Sequence, residues 1–155
     1  PKDTTMQSLL SPHGHGKVTS LEGSGAGVLK LAISSATANG AVLFTVPDGH
    51  YLRINRAWWN VQTGFTGGSS STIGLSSSNS AYSTAGDILG GGSGDAAAAL
   101  VAGQKGGTIG AKFGSNGVVV LGPGDTIKFD RITSAFTAGS GYAMIEVVEV
   151  GNSLT

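Results

Sequence analysis

The sequence predicts an all-β protein, a jelly-roll-type antiparallel β-sandwich preceded by an extended N-terminal arm. Residues 28–155 contain about eight short segments in which apolar and polar residues alternate. This period of two is typical of strands with one buried face. Turns rich in Gly and Pro separate the segments at regular intervals. Two such turns, at residues 47–49 and 122–125, precede amphipathic strands, as expected for the two Greek keys of a jelly roll.

Residues 1–27 are predicted to be an arm rather than an independent fold. Their early part holds one apolar cluster, which consists of Met6, Leu9 and Leu10. The Pro-His-Gly-His-Gly run that follows prevents a helix. A segment with so little apolar surface does not order by itself, so the sandwich domain is predicted to span residues 28–155.

The first half of the domain contains three predicted strands. The first begins at residue 28 and places Leu29, Leu31 and Ile33 on one face. Residues 41–46 form the second, and the Pro-Asp-Gly turn ends it because Pro presets φ and Gly accepts a positive φ. Residues 50–63 form a long third strand. Its apolar residues change phase between Leu52, Ile54 and Trp59, Val61, which predicts a bulge or bend at 55–57.

The middle of the chain is predicted to be long Gly/Ser-rich loops over the scaffold. Residues 64–95 carry two short strands, at 71–77 and around 87–89. Residues 95–103 include an Ala-rich run that fits either a helix of about two turns or a strand.

Four strands complete the domain, at 107–113, 117–121, 126–132 and 141–150. In the last of them the inward parity of the apolar residues continues to Glu149. A carboxylate is costly to bury, so Glu149 is expected to lie beyond the buried part of the strand.

The charge content limits the classes of partner. The chain has 155 residues, of which 12% are charged, and nine Lys and Arg balance nine Asp and Glu. A soluble domain usually carries about 25% charged residues, so much of the surface is predicted to pack against a partner, although a small neutral β-protein has the same composition. Neutrality argues against nucleic acid as that partner. The apolar runs are too short to span a membrane, and without Cys the redox compartment stays open.

No motif predicts catalysis, a cofactor or a small-molecule substrate, so the protein is predicted not to be an enzyme. His13 and His15 share a face in an extended chain, but a zinc site needs further ligands and no metal is predicted. Asp48 and Asp125 are interpreted as turn residues. The loop residues Asp87 and Asp95 could bind Ca²⁺, but they lack the dense spacing of a Ca²⁺ loop, so a structural role is preferred for them too.

Adjacent tryptophans point to opposite faces of a strand, so at most one of Trp58 and Trp59 fills the core. The other faces a partner, the protein's own loops or a sugar. Trp and Arg are enriched in protein interfaces. The candidate subunit interface therefore comprises Arg53, Arg56, Trp58, Trp59 and Arg131.

Three segments of the chain form recognisable motifs. They are Thr-Val-Pro-x-Gly-x-Tyr-Leu-Arg-Ile-x-Arg-x-Trp at 45–58, Gly-Pro-Gly-Asp-Thr-Ile-Lys-Phe at 122–129 and Ile-Glu-Val-Val-Glu-Val at 145–150. Together they resemble the small jelly-roll head-decoration (cement) proteins of tailed bacteriophages. The resemblance implies a homotrimer bound to the major capsid protein on the exterior of the virion, which assembles in the host cytoplasm. The arm residues Met6, Leu9, Leu10, His13 and His15 are then candidate capsid anchors. A carbohydrate- or receptor-binding jelly roll, as in a tail or fibre component or a lectin-like domain, is the alternative.

Overall fold

The computed structural model describes residues 18–21 and 26–150, which form a sandwich of two antiparallel sheets. One sheet has six strands and the other has four. The strands of the described residues are β1 Val18–Leu21, β2 Ala26–Ser34, β3 Val42–Thr45, β4 Leu52–Gly67, β5 Thr72–Ser77, β6 Leu89–Gly90, β7 Lys105–Gly106, β8 Val119–Leu121, β9 Thr126–Ile132 and β10 Phe136–Glu149. A short helix, α1 Ala111–Asn116, and two 3₁₀ turns, Ser80–Tyr82 and Ser93–Asp95, lie in the loops.

The strand pairs are nested along the chain. β2 pairs with β10, β3 with β9, β4 with β8 and β5 with β6. The further pairs β4–β10 and β5–β9 join these units into the two sheets. β1 and β7 add to the six-stranded sheet beside β2 and β4. Long-range antiparallel pairing of this kind brings distant segments together in one core.

The predicted alternation of buried and outward residues is confirmed. Side chains from both sheets form one buried cluster, and most of the apolar residues that alternate along the predicted strands belong to it, Ile109 being an exception. The cluster includes Leu29, Leu31, Ile33, Leu52, Ile54, Ile73, Leu75, Ile127, Phe129, Ala143, Ile145 and Val147. The predicted bulge in β4 is also confirmed. Arg56 lies opposite Glu146 while Ile54 lies opposite Val147, so one step along β10 spans two residues of β4. This extra residue brings Ile54 and Trp59 to the same buried face.

The prediction that the sandwich begins at residue 28 is wrong, because β1 and the start of β2 already belong to the sheet. Val18 lies opposite Leu29, and Ala26 lies opposite Val148 of β10. The arm predicted over residues 1–27 therefore contains sheet strands at its C-terminal end. Its first 17 residues lie outside the described part.

The Ala-rich run at 95–103 is neither a helix nor a strand. Ala96 makes an isolated bridge to Thr72, and turns follow it. The Leu100 carbonyl accepts from Phe65 N–H, and Gly103 N–H donates to the Val61 carbonyl. Backbone groups that a helix would use internally are thus bonded to β4, which explains why a local helix preference does not prevail.

Residues 107–113 are likewise not a strand, because α1 begins at Ala111. The N–H groups of Lys112 and Phe113 donate to the Asp87 carbonyl, which fixes the first turn of the helix. Gly117 ends it in the left-handed region with φ 80° and donates to Phe113 O. Phe113 of α1 is buried, with 8% exposure, whereas Ile109, which precedes the helix, is 70% exposed.

Glu149 is buried, contrary to expectation. Its side chain is 6% exposed and its Oε2 is hydrogen-bonded to His50 Nδ1, whose side chain is 8% exposed. This partner could not be predicted from a local pattern, since the two residues are 99 positions apart. The pair lies at the end of the sandwich where β4 begins and β10 ends.

Candidate functional site on the six-stranded sheet

Residues of the six-stranded sheet that alternate with the core residues form a solvent-facing surface, called here the outer face. It carries polar, aromatic and charged side chains from neighbouring strands: Lys30, Arg53, Arg56, Trp58, Asn60, Lys105, Val120, Tyr142, Met144 and Glu146. The structure places three of the five residues of the predicted interface here, namely Arg53, Arg56 and Trp58 on β4.

The other two members of the predicted interface lie elsewhere. Trp59 is fully buried in the core, so its assignment to a surface is wrong. Arg131 lies on β9 of the opposite sheet, where its N–H donates to Asn39 Oδ1 at 2.8 Å. The candidate arm anchors, Met6, Leu9, Leu10, His13 and His15, lie outside the described residues.

Asp95 holds the loop that covers Trp59. This carboxylate is 0% exposed and accepts from Trp59 Nε1 at 2.6 Å and from Thr108 N at 3.2 Å through Oδ1. Its Oδ2 accepts from Gly92 N at 2.9 Å. A carboxylate can be buried in a folded protein when hydrogen-bond donors surround its oxygen atoms. The role of Asp95 is therefore structural, as predicted.

The remaining loop acids also bind backbone and side-chain donors. Asp87 Oδ2 accepts from Thr84 N, and Asp125 Oδ2 accepts from Gly122 N and Asn79 Nδ2. The structural interpretation of Asp87 and Asp125 is therefore confirmed. Within residues 18–21 and 26–150, no three His, Asp or Glu side chains lie close enough together to hold a metal ion.

Asp130 is a buried acid whose environment favours its protonated form. It accepts from Ser76 Oγ at 2.9 Å and from Gly86 N at 3.1 Å. Burial raises the pKa of Asp130 above its ordinary value, and the nearby Asp87 raises it a little more. The two hydrogen bonds and the charge of Lys128 lower the pKa but do not offset the burial.

We expect Asp130→Asn to change how stability depends on pH. Because the folded state holds the Asp130 proton more tightly than the unfolded state, wild-type stability falls as pH rises from the ordinary value of 3.8 through the raised pKa. The amide can donate to Ser76 and accept from Gly86, so the variant keeps both contacts without this fall. Urea unfolding between about pH 4 and pH 7 should show the variant gaining stability relative to wild type as pH rises. Parallel pH curves would contradict the expectation.

Two cations of the outer face stack on aromatic rings. The Arg56 guanidinium lies 4.4 Å from the ring centroid of Trp58, and Lys30 Nζ lies 4.4 Å from that of Tyr142. Met144 lies between the two pairs, since it is the register partner of both Trp58 and Lys30. Stacking of a cation on a ring contributes about 0.5–1 kcal/mol at exposed sites, so it orients these side chains without removing them from solvent.

Two cavities adjoin at Arg56. The larger, of about 350 Å³, is lined by Arg56, Ala57, Trp58, Lys105, Gly106 and Gly107. The smaller, of about 230 Å³, is mostly apolar and lies between β4 and α1, with Ile109 and Phe113 in its wall. Small-molecule sites usually measure roughly 300–1,000 Å³, so only the larger cavity reaches that range.

Exposed apolar residues lie beside the smaller cavity. Ile109 is 70% exposed, and Val118 and Val120, at and beside β8, are 37% and 38% exposed. Val120 is the register partner of Arg53, so β8 continues the outer face past β4. Ile109 forms an isolated bridge with Leu89 of β6 and adjoins β4 across the smaller cavity. Ile109, Val118 and Val120 are called here the apolar rim. Sequence reasoning missed Ile109 because the run at 107–113 resembles a strand with Ile109 inward.

Among the described residues, no helix is long and apolar enough to cross a membrane. Comparisons with protein-family models, with curated proteins and with solved structures found no match for this chain.

Proposed function

We propose that this protein is a non-catalytic structural subunit of a virion shell, a decoration protein that binds the outer surface of the capsid as a homotrimer. The observation that carries the proposal is the apolar rim, which lies beside Arg53 on the outer face. Interfaces combine apolar contacts with Arg more often than the rest of a protein surface does. The low charged fraction of 12% supports a surface that is partly covered in the assembly.

The fold supports the same proposal. We propose that the sandwich is of the jelly-roll type, which the nested order β2–β10, β3–β9, β4–β8 and β5–β6 favours. A second copy of this chain is the proposed occupant of the apolar rim. The major capsid protein is the proposed partner of the arm, through Met6, Leu9, Leu10, His13 and His15. Three arms on one trimer bind multivalently, so modest contacts add up to lasting attachment.

We expect Ile109→Asp to dissociate the trimer. The wild type should show a mass of three times 15.3 kDa in light scattering at several concentrations. A carboxylate buried in the interface without a partner costs several kcal/mol, enough to shift the mass of the variant toward one chain. The matched control is Val42→Asp on β3, because Val42 is 56% exposed on the other sheet. A trimeric Ile109→Asp, or a monomeric wild type at all concentrations, contradicts the proposed interface.

Binding to the shell is tested separately by co-sedimentation with empty heads assembled from the major capsid protein of the same virus. We expect the wild type to co-sediment and the full-length double variant Leu9→Asp/Leu10→Asp to stay in the supernatant as a trimer. Equal co-sedimentation of the two proteins would show that Leu9 and Leu10 of the arm do not bind the shell. Failure of the wild type to co-sediment would overturn the decoration function.

A second candidate function, saccharide or receptor binding, is favoured by Trp58. This indole faces outward beside a cavity of about 350 Å³, and outward aromatic rings on β-sheets can pack against sugar rings. This function needs no trimer, so a monomeric wild type would leave it in place.

A further inference from the structure

The outer face is positively charged although the chain as a whole is neutral. Lys30, Arg53, Arg56 and Lys105 lie on it, and Glu146 is the one acidic side chain that faces solvent there among the described residues. The acids that balance these cations are withdrawn from this surface, since Asp87, Asp95 and Asp130 are buried in the core and loops. A net charge of zero therefore conceals a surface that attracts anions.

The larger cavity lies within this positive surface. Arg56 and Lys105 both line it, and its wall contains no acid. Glu146 contacts Arg56 from outside the cavity, with an Nε–Oε1 distance of 3.5 Å and side-chain exposures of 68% for Arg56 and 45% for Glu146. An ion pair with this exposure contributes about 0–1 kcal/mol to stability. The guanidinium of Arg56 can therefore exchange Glu146 for the carboxylate of a ligand.

The other walls of the cavity suit a sugar ring. Trp58 is half-buried, with one ring face held by Arg56, and its remaining exposed surface borders the cavity. Gly106 and Gly107 add no side chain to the wall of the cavity, which leaves room for a ring beside Trp58. A single-stranded nucleic acid would instead need cations tracking a phosphate backbone and several stacking rings, whereas here one cavity holds one ring and two cations.

We propose that the cavity formed by Arg56, Trp58, Lys105 and the Gly106–Gly107 backbone binds an acidic sugar residue of a polysaccharide, with its carboxylate between Arg56 and Lys105 and its ring against Trp58. This inference deepens the second candidate function and does not depend on binding to the shell. Its failure would leave the trimer and co-sedimentation results unchanged.

The test is titration of the full chain with trigalacturonate, followed by calorimetry and by tryptophan fluorescence. We expect saturable binding that weakens as salt is raised, and no binding of the uncharged galactotriose. Lys105→Ala and Arg56→Ala should each weaken binding about tenfold, because each removes a charge-assisted hydrogen bond. Lys112→Ala is the matched control, since Lys112 is exposed on α1 and does not line the cavity.

Trp58→Phe supplies a spectroscopic signature. Trp59 is buried and bonded to Asp95, so the fluorescence change should come from Trp58 and disappear in this variant, while calorimetry still detects binding. Absence of saturable binding by trigalacturonate would overturn the proposal, as would equal binding of galactotriose. An unchanged affinity in both Lys105→Ala and Arg56→Ala would also overturn it. Preferential binding of hexaglutamate would assign the cavity to an acidic peptide instead.

Discussion

Asp95→Ala is expected to destabilise the fold by about 2–4 kcal/mol, one of the largest effects of any side-chain truncation in this protein. The substitution removes three hydrogen bonds at once, those to Trp59 Nε1, Thr108 N and Gly92 N. Most of the lost free energy of unfolding comes from the indole N–H of Trp59. Because Trp59 is fully buried, water cannot replace the lost acceptor without opening the loop. Urea unfolding monitored by circular dichroism measures the change.

Two further variants show whether the hydrogen bonds cause this effect. Asp95→Asn keeps the shape but turns an amide N–H₂ toward one of the donors, so we expect a loss of about 1–2 kcal/mol. This contrasts with Asp130→Asn, whose partners include a hydroxyl that can accept. In a double-mutant cycle, Trp59→Phe and Asp95→Ala should be less costly together than the sum of the two alone. Full additivity would show that the two side chains act independently.

Gly90→Ala is expected to be the most damaging of the small-residue changes. Gly90 has φ +98°, and a Cβ there would lie 2.2 Å from Ile73 O and 2.6 Å from Gly74 Cα. Gly74 is the register partner of Gly90, so the two glycines allow β5 and β6 to approach closely. The methyl group must push these strands apart, and we expect a loss of more than about 3 kcal/mol or failure to fold.

The matched control is Gly40→Ala. Gly40 has a similar φ of +85°, but a Cβ there would meet nothing within 4 Å. It therefore carries only the cost of a left-handed conformation, about 1–2 kcal/mol. Thermal or urea unfolding of both variants separates the conformational cost from the collision between strands. Equal losses at the two positions would contradict the close approach of β5 and β6.

The sequence by itself determined the class of the fold and most of its strands. Alternation predicted the inward residues of β2, β5, β9 and β10, because one buried face imposes a period of two on any strand. The phase change after Ile54 predicted the bulge in β4 for the same reason. Turn residues such as Asp125 were also predictable, since an Asx side chain bonds to backbone only a few positions away.

Only the tertiary structure decided the long-range partners. Asp95 bonds to Trp59, 36 positions away, and His50 pairs with Glu149, 99 positions away, so their burial could not be seen in any local pattern. The Ala-rich run and residues 107–113 departed from prediction because their backbone groups bond to β4 and to Asp87. The positive outer face was hidden for a related reason: composition counts all charges equally, whereas folding buries Asp87, Asp95 and Asp130 and leaves Arg56 and Lys105 beside one cavity.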